Sequence, residues 1–123
     1  MIEVKNILLE NKIDQSIELI KSIQNINMKT VLWFYFENID AYKLIIATSD
    51  VAKIPTQELY KIIFDNIENL NSINLDDVMF VNPNDHLVNL ISKIFKVQLG
   101  NKEKVENSGF NGVFIESAVI LKS

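Results

Sequence analysis

The chain has 123 residues, with 12 lysines, no arginine, no cysteine, one histidine (His86) and a formal net charge of −4. Those absences exclude thiolate nucleophiles, disulfides, cysteine-ligated metal and a guanidinium clamp on phosphate or carboxylate. The lysines are scattered, which argues against nucleic acid as a partner, because that binding draws on a concentrated basic face.

The length fits one domain over residues 1–123, and a chain of this size buries about two-thirds of its unfolded surface without a metal or disulfide. The longest apolar run, Val31 to Phe36, is far short of the roughly 20 residues that span a bilayer. Glu3 and Glu10 interrupt any signal peptide. The reading is therefore a cytoplasmic location and no membrane partner. Abundant Ile, Asn and Lys beside zero Arg is the signature of codon bias in an AT-rich genome, which accounts for the missing arginine without appeal to function.

In chain order, the spacing of Leu9, Ile13, Ile17 and Ile20 predicts one amphipathic helix from Ile2 to about Gln24, within which Asn11 and Asp14 are residues able to cap a second helix. Val31 to Phe36 is β-rich and apolar on both faces. The turn Glu37-Asn38-Ile39-Asp40 leads to a second β-rich run, Ala41 to Thr48, so the pair reads as a hairpin whose first strand is covered on both sides. Pro55 and Thr56 open a helix with a stripe of Leu59, Ile62, Ile63, Ile67 and Leu70. A short strand, Val78 to Val81, is followed by the polar turn Asn82-Pro83-Asn84-Asp85 and a third helix carrying Leu87, Leu90, Ile91, Ile94 and Phe95.

The polar stretch Gln98 to Gly112 holds all three glycines and is expected to be a loop, with room for a short strand. Val113 to Leu121 closes the chain as a strand, and its apolar character on both sides of Glu116 implies an interior position or a bulge. The fold class is α+β (mixed α/β), order α-β-β-α-β-α-β, with a four- to five-stranded mixed sheet packed on three helices. If the helical crossovers are of the usual kind, the strand Ala41–Thr48 is parallel to Val78–Val81, and the last strand can be parallel as well.

That topology places Thr48-Ser49-Asp50 and Asn82-Pro83-Asn84-Asp85-His86 at the carboxyl ends of neighbouring strands, where α/β sheets bind ligands. Asp50, Asp85 and His86 are the catalytic candidates: an acid-base pair or a weak divalent-metal site. The same residues also fit plainer roles, a turn for Asp50, a helix cap for Asp85 and a solvated surface position for His86. No Gly-x-Ser-x-Gly elbow and no phosphate-binding glycine loop occurs. Pairs such as Asp40 with Lys43 or Glu103 with Lys104 are the only other hint of a nuclease-type centre. Nothing in the sequence calls for a cofactor or a resident metal.

Trp33, Tyr35 and Tyr42 are the partner-binding candidates, since Trp and Tyr are favoured interface anchors. Tyr60 and Phe64, four apart and off the main helical stripe, form a smaller patch. The runs Trp33 to Phe36, Leu44 to Thr48, Asp77 to Asp85 and Asn111 to Glu116 resemble small bacterial α/β domain proteins with no assigned activity. That resemblance implies a compact bacterial domain. The functional expectation is a non-catalytic protein-interaction domain of accessory, immunity or antitoxin type, or one that self-associates, with a small enzyme or a small-molecule or metal binder as the alternative.

Overall fold

The computed structural model describes the backbone of residues 2–68 and 70–123, and the side chains of residues 10–68 and 70–123. Three helices, α1 (Ile2–Ser22), α2 (Thr56–Asn66) and α3 (His86–Ile94), pack on five strands, β1 (Met28–Phe36), β2 (Ala41–Thr48), β3 (Val78–Val81), β4 (Glu103–Phe110) and β5 (Val113–Lys122). The sheet order is β3-β2-β1-β5-β4. β2 and β3 are parallel, and all other neighbours are antiparallel. The fold is thus α+β with a mixed sheet, as the sequence pattern predicts.

The sheet has two apolar faces because its central strands alternate two apolar sets. Val31, Trp33, Leu44, Ile46, Val119 and Leu121 face one layer, in which Ile13, Leu19 and Ile20 of α1 and Leu59 and Ile63 of α2 are buried. Leu32, Ile45, Ala47, Ala118 and Ile120 face the other, covered by Val88 and Ile91 of α3. A strand buried on both sides cannot alternate apolar with polar, which is why Val31 to Phe36 contains no polar residue.

The single N-terminal helix is as the spacing predicts, continuous through Asn11 and Asp14. Two local outcomes differ from the sequence pattern. First, α2 stops at Asn66, whose side-chain amide turns back to the Ile62 carbonyl at 2.7 Å; Ile67 and Leu70 lie beyond the helix but still pack on the same core. Second, the stretch expected as a loop contains the eight-residue β4. Asn111 (φ 47) and Gly112 (φ 83) form the two-residue turn from β4 to β5, the left-handed pair that a tight hairpin needs.

That turn also settles the last strand, which runs antiparallel to both β1 and β4 rather than parallel. β5 is interior, and its inward set slips parity between Ile115 and Ala118, both on the α3 side. Opposite the slip, Asn107 takes a left-handed φ of 45°. The hairpin tip consequently packs toward α3, with Phe110 edge-on to Phe95 at 5.8 Å.

A polar seam fixes α1 to the segment before β3. Lys12 Nζ lies 2.7 Å from Asp77 Oδ2. Gln15 accepts the Ser72 backbone N–H at 2.8 Å and donates to Asn71 at 2.8 Å. Asp77 in turn accepts the Asn74 backbone N–H, completing a capping box on the short 3-10 turn Leu75–Asp77.

Candidate functional site

The parallel pair β2 and β3 ends at Thr48 and Val81, and the polar turns beyond them lie side by side. Thr48 Oγ1 accepts the Asp50 N–H at 3.1 Å, and Asn82 Oδ1 accepts the Asn84 N–H at 2.9 Å. Register brings the start of β1 to the same end, with Met28 opposite Thr48, and the end of β5 as well, with Lys122 opposite Val31. An open cleft of about 700 Å³ results, lined among others by Lys29, Lys53, Lys122, Ser49, Asn82 and Asn84. Among the described residues no carboxylate lines it.

The three catalytic candidates are dispersed around this end rather than gathered. Asp50 turns away to accept the Asn27 backbone N–H at 2.9 Å and lines the adjoining cleft, which shares Lys122. Asp85 caps α3, accepting the Val88 N–H at 3.3 Å. His86 is the exposed first residue of α3 and lines neither cleft. Among the described residues no group of three or more His, Asp or Glu side chains is placed to hold a metal ion. The other acid-lysine pairs are no better arranged: Asp40 accepts the Tyr35 hydroxyl, Lys43 donates to the Asp76 carbonyl, and Glu103 and Lys104 are exposed on the edge strand β4.

The aromatic candidates divide by burial. Trp33 is fully buried, its indole N–H donating to Ser16 Oγ at 2.9 Å, with the Lys12 ammonium 5.6 Å from its ring centre. It is a core residue under α1 and presents no surface to a partner. Tyr35 and Tyr42 are half-buried and meet edge-on at 5.2 Å, with the Tyr42 hydroxyl 2.9 Å from Ser117 Oγ. Phe34 and Phe36, on the opposite face of β1, are half-buried against each other at 4.9 Å.

Among the described residues two aromatic rings are largely exposed, Phe114 on β5 and Phe64 on α2, and only the second lies beside an apolar cleft. Leu59 and Ile63 point inward, so Tyr60 and Phe64, one position further round, fall at the margin of the buried stripe. Tyr60 is held by its hydroxyl, which donates to the Val78 carbonyl at 3.0 Å, and by edge-on packing against Phe80 at 5.1 Å. Phe64 has no such cover and is 61% exposed. With Leu75, Thr56, Gln57 and Lys61 these rings line an open cleft of about 480 Å³. Glu58, Asp65 and Glu68 are exposed along the same helix and just past its end, with Lys61 on the cleft side of it, and Asp76 is exposed beside Leu75, where Lys43 meets its carbonyl.

These features define an α+β protein with a mixed five-stranded sheet, a lysine-lined cleft at the carboxyl ends of its parallel strands and an apolar cleft on α2. No known protein family, curated protein or solved structure matches the chain. Among the described residues no helix is long and apolar enough to cross a membrane.

Proposed function

We propose that the protein is a non-catalytic interaction domain that binds a basic protein partner through the cleft on α2. The observation that carries this reading is Phe64, a large ring left 61% exposed at an apolar cleft rather than folded into the core 4 residues from a well-held tyrosine. An aromatic anchor surrounded by charge is the common anatomy of an interface hot spot. The exposed carboxylates Glu58, Asp65 and Glu68 on and just past α2, together with the net charge of −4, favour a partner that carries lysine or arginine around an apolar side chain. A basic toxin held by an immunity- or antitoxin-type protein is an example of such a pair, and a cytoplasmic setting suits it.

The test compares partners retained at low salt from host extract by the wild-type chain and by Phe64→Asp, in parallel with a Glu58→Lys, Asp65→Lys double variant. The proposal requires a stoichiometric basic protein that wild type retains, that Phe64→Asp loses, and that the charge-reversed variant holds weakly. Identical retention by all three chains would exclude the α2 cleft as the interface.

A further inference from the structure

The lysine-lined cleft is a separate surface, and we infer that it binds the phosphate group of a small molecule. Lys29, Lys53 and Lys122 come from β1, the segment after β2, and β5, so the topology converges them from three places in the sequence. None of the three side chains makes a hydrogen bond or ion pair among the described residues, although the chain carries more acids than lysines. Three ammonium groups around one concavity repel one another, and an anion placed between them removes that repulsion while gaining charge-assisted hydrogen bonds.

The neutral lining supports the same ligand. Ser49 offers a hydroxyl, and Asn84 and Asn82 offer side-chain amides; the Asn82 oxygen is already committed to the Asn84 N–H, which leaves its NH₂ as the free donor. The nearby carboxylates are otherwise engaged, Asp50 on the Asn27 N–H and Asp85 on the Val88 N–H. The position outside the carboxyl ends of two parallel strands is where sheets of this kind bind phosphate-bearing ligands. A concave site with three cations on a net-acidic chain suits a small ligand, since a nucleic acid tracks a longer basic surface.

The test is a ¹⁵N-¹H NMR titration of the full chain with inorganic phosphate and, separately, with ribose 5-phosphate, at ionic strength held constant with sodium chloride. The expected result is saturable shifts confined to Lys29, Ser49, Lys53, Asn82, Asn84 and Lys122. Tighter binding of ribose 5-phosphate assigns the site to a phosphate ester, and equal binding to free phosphate. Lys53→Gln and Lys122→Gln should each weaken binding about tenfold, the worth of one charge-assisted hydrogen bond, while Lys61→Gln leaves it unchanged. Unperturbed resonances elsewhere show that the variants remain folded. The inference is overturned by shifts that do not saturate, by equal loss in Lys61→Gln, or by an oligothymidylate that perturbs the same residues at lower concentration than either phosphate probe.

Discussion

The indole N–H of Trp33 donates to the hydroxyl of Ser16 at 2.9 Å, and both residues are fully buried. The Ser16 hydroxyl itself donates to the Lys12 carbonyl one helical turn back, so a single hydroxyl satisfies the largest side chain of the core and ties β1 to α1. Ser16→Ala leaves the indole N–H unpaired in an apolar layer, which costs about 1–3 kcal/mol. Urea unfolding followed by far-ultraviolet circular dichroism measures it, a signal that does not depend on the only tryptophan in the chain. A Trp33→Phe background, in which there is no N–H to strand, should reduce the cost of Ser16→Ala by about 1 kcal/mol. Equal costs in both backgrounds would mean that the bond contributes nothing.

Thr30 presents the opposite case. Its hydroxyl is buried and has no hydrogen-bond partner among the described residues. Thr30→Val keeps the shape and removes the desolvated group, so it should stabilise the fold by about 1 kcal/mol. A lower urea midpoint for the valine variant would show that the hydroxyl is paired in solution.

Asp85 and His86, adjacent in sequence, should respond differently to truncation. Asp85→Ala removes the cap of α3 and costs about 1 kcal/mol, which Asp85→Ser largely restores. His86→Ala, at an exposed position, should change stability by less than about 0.5 kcal/mol. Thermal unfolding of the three variants separates a capping role from a chemical one: a cap is rescued by serine, whereas a catalytic or metal-binding carboxylate is not.

At the β4–β5 turn, Gly112 adopts a φ of 83° and an added Cβ would meet nothing within 4 Å. The cost of Gly112→Ala is therefore backbone strain alone, about 1 kcal/mol. Gly112→Asn, whose side chain tolerates the left-handed region, should recover part of it. Chemical denaturation of the two variants gives the difference, and indistinguishable midpoints for alanine and asparagine would contradict the strain argument.

That turn also shows where the sequence was legible and where it was not. The helices and the hairpin of β1 and β2 announce themselves through apolar spacing, and the β5 irregularity is visible in the apolar residues on both sides of Glu116. β4 carries no such signal. As an edge strand it buries only Val105 and leaves Glu103, Lys104, Glu106 and Asn107 exposed, so its composition reads as a loop. Asn111-Gly112 was the available cue, because that dipeptide between two extended segments marks a tight hairpin.

The candidate surfaces follow the same division. The polar end of the parallel strands could be read from topology, but its lysines could not, since they reach one cleft from positions 29, 53 and 122. Trp33 looked like an interface anchor because composition does not reveal which face of a fully apolar strand a helix covers. Tyr60 and Phe64 were visible as a pair, whereas the exposure of Phe64 depends on where α2 sits against Leu75.

The position of β5 has a consequence for how the chain is made. Residues 113–122 follow β1 to β4 in the chain yet insert between β1 and β4. Until they emerge from the ribosome, one edge of β1 stays open, although β2 is there to pair with the other. A ribosome stalled before Val113 therefore holds a half-built sheet with an apolar edge exposed, and a chaperone that shields Val31 to Phe36 would act while the chain is still being made.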